Sequence, residues 1–147
     1  MRFTFIEIPS SITPGLRVTK DKSDNLSTLN ASPTVSNAYF TSGDLVLNYN
    51  KESGEVVSFD GYLPYFDTLP LDTRTTLPRS AISARLFVGD LSGNAIFSID
   101  ALPLHLIESE SIIHAGQGKS SQIIKLSEDV YIGLKKESIV DIYLRLS

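Results

Sequence analysis

The chain has no cysteine and no tryptophan, a single methionine, and no apolar run near the length that crosses a bilayer. Without thiols there is no disulfide framework, no thiolate nucleophile and no sulfur metal site, and a reducing cytoplasm suits such a protein. Without tryptophan the most favourable flat platform for a sugar ring is missing, so carbohydrate recognition would fall to the tyrosines alone. A membrane helix needs about 20 consecutive apolar residues. The opening MRFTFIEIPSS alternates where a secretory signal would carry a continuous apolar block. The expectation is a cytoplasmic protein without membrane contact.

Positive charge is scarce through the middle of the sequence. Residues 25–118 hold ten acidic and four basic side chains, a net of −6, whereas the two ends together hold seven acidic and nine basic, a net of +2. Between residues 25 and 73 the one cation is Lys51, and between 86 and 118 there is none. Such a span repels a phosphate backbone and attracts basic partners, which disfavours nucleic-acid binding.

What the sequence has in abundance is period-two alternation. In residues 43–64, Leu45, Leu47 and Tyr49 share a strand face. A five-residue connection sets Leu45 opposite Phe59 and Leu47 opposite Val57, while a four-residue one turns Ser58 and Asp60 inward. The five-residue register is therefore expected, with a turn closing on a left-handed Gly54. Residues 79–88 alternate Ile82, Ala84, Leu86 and Val88, and GDLSGN leads to Ala95, Phe97 and Ile99, which reads as a second hairpin. In the third, Val130, Ile132 and Leu134 face Val140, Ile142, Leu144 and Leu146 across residues 135–139, with Tyr131 opposite Tyr143 on the other face. Residues 1–8 form an edge or terminal strand with Phe3 and Phe5 inward, ended by Pro9. Residues 102–107 form a short strand, and residues 108–115 the one candidate helical turn. Residues 19–37, rich in Ser, Thr, Asn and Asp, read as loop, and residues 61–78, with three prolines, as an irregular crossover. The fold class is mainly β: a single domain over residues 1–147, an antiparallel β-sandwich or partly open barrel built from hairpins.

Catalytic chemistry has no recognisable pattern here. Gly118-Lys119-Ser120 matches the end of a phosphate loop, but Ile113 stands where that motif needs glycine and no helix follows, so the segment reads as a flexible hairpin tip. His105 and His114 are nine residues apart, without the short spacing that gathers imidazoles on one metal. They read as one partly buried and one exposed loop histidine. None of the twenty serines lies in a nucleophile elbow. Asp60 with Asp67, or Glu108 with Glu110, are formal carboxylate pairs that nothing selects. No enzymatic activity, metal or cofactor is expected. The aromatic and acidic crossover is the better candidate: Asp60, Tyr62, Tyr65, Asp67 and Asp72, with Glu108 and Glu110 in addition, combine low-entropy contact area with charge for a partner's lysines and arginines.

The strand, turn and corner LVLNYNKESGEVVSFDGYLP, together with the ending VYIGLKKESIVDIYLRLS, resembles small bacterial immunity proteins of contact-dependent growth inhibition and related polymorphic toxin systems. That resemblance implies a cytoplasmic, non-enzymatic antitoxin that binds one toxin domain and blocks its active site. It carries no catalytic residues over. A −6 span would steer a basic nuclease-type toxin and occlude its phosphate-binding cleft. The alternative is a non-catalytic β-sandwich module that binds carbohydrate or protein.

Overall fold

Stretches that alternate apolar and polar residues bury one face as strands, and strands dominate the computed structural model of the chain. It describes residues 2–9, 17–20, 25–29, 38–42, 45–50, 52–62, 69–72, 78, 80–89, 96–98, 102–107 and 112–146. In chain order the strands are β1 (Phe3–Glu7), β2 (Arg17–Lys20), β3 (Asn25–Leu29), β4 (Ala38–Ser42), β5 (Leu45–Tyr49), β6 (Val56–Tyr62) and β7 (Leu71–Asp72). There follow β8 (Ile82–Val88), β9 (Ile96–Ser98), β10 (Leu104–Ile107), β11 (Ile112–Gly116), β12 (Gln122–Ser127), β13 (Val130–Lys135) and β14 (Ser138–Arg145). Among the described residues no helix is long and apolar enough to cross a membrane.

Two sheets enclose the core. The larger has the order β1-β8-β12-β13-β14-β11-β10-β7, and the smaller β2-β3-β6-β5-β4-β9. Leu45, Leu47, Tyr49, Val56 and Phe59 of the smaller sheet share one buried cluster with Phe3, Leu86, Ile113, Ile124, Ile132 and Ile142 of the larger. Burying one such side chain is worth about 1.5–3 kcal/mol. This is the expected sandwich, with neither sheet closed into a barrel. Its sheets are not purely antiparallel: β8–β12, β10–β7 and β4–β9 run parallel. Two seams tie the layers together. The Val88 amide donates to the Gly54 carbonyl at 2.8 Å, and Val18 of β2 bridges Leu146 just beyond β14.

The first hairpin has the expected buried face and a different register. Leu47, not Leu45, lies opposite Phe59, and Leu45 lies opposite Gly61. Asn50 and Glu55 close the turn, with Asn50 N–H donating to the Glu55 carbonyl and Gly54 N–H to the Asn50 carbonyl. Asn50 Oδ1 accepts from the amides of Glu52 and Ser53, a local bridge that asparagine supplies in turns. Gly54 takes the expected left-handed conformation, φ 80°. The loop is thus four residues, 51–54, and a bulge between Asn48 and Tyr49 restores the parity that keeps Phe59 inside and Asp60 out.

Three other expectations are corrected. β8 and β9 do not form a hairpin: β8 lies between β1 and β12 in the larger sheet, while β9 pairs with β4 in the smaller. Of residues 108–115, expected as a helical turn, 112–115 belong to the strand β11 (Ile112–Gly116), its five residues all buried between β10 and β14, and residues 108–111 lie outside the described residues. Within the expected loop of residues 19–37, β2 and β3 form an antiparallel pair. Main-chain pairing with β6 outweighs a polar composition there. The third hairpin holds Val130 against Leu144, Ile132 against Ile142 and Tyr131 against Tyr143. Its turn is shorter than expected, Lys136 and Glu137 alone, and Leu134 meets Ile139 because a register shift displaces Val140 from the core face. β1 is an edge strand with Phe3 buried, as expected. Arg2 grips Glu137 through two hydrogen bonds, at 2.5 and 3.1 Å, and the Phe3 amide donates to the Glu137 carbonyl.

Candidate functional site

On the face of the larger sheet that turns away from the main core, five side chains follow one another across five strands. They are Lys125 on β12, Tyr131 on β13, Tyr143 on β14, His114 on β11 and His105 on β10, each the direct cross-strand partner of the next. Neighbouring Ile107 and Ile112 join the two tyrosines in a second apolar cluster. The His114 and Tyr143 rings stack in parallel with centroids 4.4 Å apart, and those of His105 and His114 lie 6.0 Å apart, tilted by 37°. At the far end Lys125 Nζ stands 6.0 Å from the Tyr131 ring and bonds Glu128 at 2.7 Å.

Asp141 anchors this row. It lies on β14 between Gly116 of β11 and Gly133 of β13, and both glycines are there because nothing larger fits. A Cβ at 116 would come 2.3 Å from both Asp141 Oδ1 and the Val140 carbonyl, and one at 133 would come 2.6 Å from Ser120 Oγ and 2.8 Å from Asp141 Cβ. In the space so made, Asp141 Oδ1 accepts hydrogen bonds from His114 Nε2 and from the Gly118 amide, each at 2.7 Å. Burial opposes the charge on Asp141, but the donors His114, Gly118 N–H and the Ser120 hydroxyl outweigh it and hold its carboxyl below the usual carboxylate range. An ionised carboxylate only accepts, so Nε2 of His114 carries a proton, and in the neutral ring Nδ1 is a bare acceptor.

This pair is closed to substrates as it stands, with His114 1% exposed and Asp141 fully buried. It locks β11, β14 and the segment between β11 and β12 to one another. Among the described residues, three side-chain atoms remain buried without a hydrogen-bond partner: Nδ1 of His105, Nδ1 of His114 and Oδ2 of Asp141. Leaving such a group unsatisfied costs about 1–3 kcal/mol. The expectation of one partly buried and one exposed loop histidine is therefore corrected for His114, which is a strand residue in the interior directly opposite His105. The GQGKSS segment is likewise no hairpin tip. It joins β11 to β12, which are not neighbours in the sheet, and it is held by Gly118 on Asp141 and by the Ser121 amide on the Leu134 carbonyl at 2.9 Å.

The residues expected at a partner surface are spread over both sheets. Asp60 is exposed on β6 and accepts from Asn48 Nδ2 at 2.7 Å, and Tyr62 ends the same strand opposite Asn25. Asp72 is on β7 at the edge of the larger sheet, opposite Ile107. Tyr65, Asp67, Glu108 and Glu110 lie outside the described residues. A cleft of about 290 Å³ opens beside Gly116, with Leu102, Pro103 and the displaced Val140 as apolar lining and Lys119 and Lys135 as its cations. Among the described residues no aromatic side chain lines it.

Sequence reasoning missed the Asp141–His114 pair and its glycine cradle. The signal was parity: His114 and Tyr143 fall on the face that already paired Tyr131 with Tyr143. The fold and this site together define a mixed-sheet β-sandwich with an internal histidine–aspartate lock. The sequence matches no protein-family model and no curated protein.

Proposed function

We propose that the chain is a non-catalytic immunity protein that binds a basic toxin domain and blocks its active site. The observation that carries this reading is the standing of the acidic span in the fold. Asp60 projects from β6 into solvent, within a stretch of ten acidic and four basic residues that forms most of the smaller sheet. An exposed carboxylate held on a strand, as Asp60 is, steers a cationic partner without the cost of ordering a loop. The buried pair supports the same reading, since His114 and Asp141 are engaged with each other and with the backbone, away from any surface where a substrate would be turned over.

The test is growth protection. Cells expressing the toxin encoded beside this chain survive when the protein is co-expressed, and the purified pair forms a one-to-one complex whose association slows as salt is raised. A chain that fails to protect, or that binds with no dependence on salt, removes the proposal and leaves the general binding module in its place.

A further inference from the structure

We propose that two copies of this chain pair edge to edge through β1, in an antiparallel register centred on Ile6. β1 borders the larger sheet, with β8 on its inner side and, among the described residues, no strand on its outer side. The Gly89 amide donates to the Arg2 carbonyl at 2.7 Å and the Ile8 amide to the Ser83 carbonyl at 2.9 Å, so the even-numbered residues turn their main-chain groups toward β8. Those groups alternate in direction along a strand, and the amides and carbonyls of Phe3, Phe5 and Glu7 therefore point outward. The Phe3 amide is taken by the Glu137 carbonyl at 2.8 Å. Pro9 has no N–H to offer. Among the described residues, Phe5 and Glu7 keep their outward amides and carbonyls open, on either side of an Ile6 side chain that is 60% exposed.

That pattern is complementary to itself. With Ile6 opposite the partner's Ile6, Phe5 lies opposite the partner's Glu7 and Glu7 opposite the partner's Phe5, and each of these pairs exchanges two N–H···O bonds. Every open group is used, and the two Ile6 side chains meet as a non-hydrogen-bonded pair, the closer kind, which covers both. Each strand ends at Glu7, short of the place that Glu137 occupies beside Phe3. The neighbouring registers fail. Centring on Phe5 asks Phe3 for the amide that Glu137 holds, and centring on Glu7 sets two carboxylates face to face with Phe5 against the proline. The match of open groups to open and blocked to blocked favours a second copy over an unrelated strand. The other sheet edges offer less: β7 and β9 have two and three residues, and on β2 the Val18 amide donates to Asp129 Oδ2 at 3.3 Å. An uncovered edge is a template for another strand, and an isologous pairing closes as a dimer where a head-to-tail one would run on as a fibre. So short a contact buries little area, which makes the dimer weak and concentration-dependent.

The chain has no cysteine, so a single introduced one reports the register. Ile6→Cys, oxidised with copper phenanthroline, cross-links to a covalent dimer, because partners in a non-hydrogen-bonded pair have Cα atoms about 4.5 Å apart, within disulfide reach. Thr4→Cys does not, since its counterpart lies four residues along the strands, roughly 13 Å away. Without oxidant, sedimentation equilibrium shows the parent passing from monomer to dimer as concentration rises, and Ile6→Lys, checked for folding by circular dichroism, weakens dimerisation more than tenfold. The proposal is overturned if the parent stays monomeric up to about 1 mM, which leaves the edge to a strand of another protein. It is equally overturned if Thr4→Cys cross-links as readily as Ile6→Cys, for then the contact is not in this register. Should Ile6→Lys fail to fold, the two cysteine variants decide.

Discussion

Two glycines two residues apart separate backbone strain from crowding in a single experiment. Gly118 has φ 73°, and a Cβ there would meet nothing within 4 Å. Gly118→Ala therefore costs only the left-handed conformation, about 1–2 kcal/mol, reduced by about 0.4–1 kcal/mol because alanine narrows the unfolded ensemble. Gly116 has φ 127°, and its Cβ would come 2.3 Å from Asp141 Oδ1 and from the Val140 carbonyl. One of those atoms is backbone, and the other is tied to His114 and Gly118. Relief thus requires β11 and β14 to part or the carboxylate to abandon its donors. Overpacking of this kind costs about 1–3 kcal/mol, and a buried donor left unmatched about 1–3 kcal/mol more. With the strain included, Gly116→Ala is expected to lose about 3–7 kcal/mol. For a chain of 147 residues that lowers Tm by roughly 10–20 °C, at about 2–4 °C per kcal/mol. Urea unfolding followed by circular dichroism reads both variants. If Gly116→Ala loses no more stability than Gly118→Ala, the close approach of β11 to Asp141 is not what demands glycine at 116.

Phe59, fully buried where the two sheets meet, is expected to cost about 3–5 kcal/mol on truncation to alanine, read as a lower urea midpoint at unchanged m-value. The Arg2–Glu137 pair is exposed, and Arg2→Ala is expected to leave the urea midpoint almost unchanged. Its clearer mark is in titration. Arg2 holds the Glu137 carboxyl below the usual range by hydrogen bonding, so whatever stability Glu137 adds is present above the unfolded-state value and lost as pH falls through the folded one. In the Arg2→Ala variant the Glu137 midpoint, followed by NMR, moves up. Reversing Asp60 to lysine is expected to slow toxin association most at low salt, since exposed charges act over a Debye length of about 10 Å at 0.1 M. Stopped-flow mixing across a salt series checks it, and a rate equal to the parent's at every salt concentration moves the interface elsewhere.

Which side of a strand faces the core was legible wherever alternation was clean. Leu45, Leu47, Phe59, Ile132 and Ile142 are all buried as their spacing requires. Register was legible only where no residue bulges out. In both hairpins a turn shorter than expected is combined with one register shift, at Asn48/Tyr49 and at Gly133/Leu134, and parity alone does not distinguish a long loop from a short loop plus a bulge. Which strands pair was less legible still. β8 and β9 have complementary parity and a turn between them, yet parity is a property of one strand and says nothing of which sheet it joins. The same holds for the site. A separation of nine between His105 and His114 means little until β10 and β11 are known to be antiparallel, after which it puts the two residues directly opposite each other. Asp141 was not legible, because an acid between Val140 and Ile142 in a strand reads as solvent-facing, and the glycines at 116 and 133 make room for it inside.

The order of the larger sheet also bears on how fast the molecule can form. Its middle, β12-β13-β14, is a meander of neighbours that needs only short turns to close, whereas flanking pairs such as Phe3 with Val88 and Ile82 with Ile124 join distant stretches of chain. Distant pairings incur loop-closure entropy before their contacts repay it, and proteins dominated by them fold in milliseconds to seconds. The meander is therefore the natural nucleus, with β11 adding to one side and β8 then β1 to the other. Until β8 docks, β12 presents a long unpaired edge carrying Ile124 and Leu126, so the interval before docking is when this chain is most exposed to joining a second copy of itself.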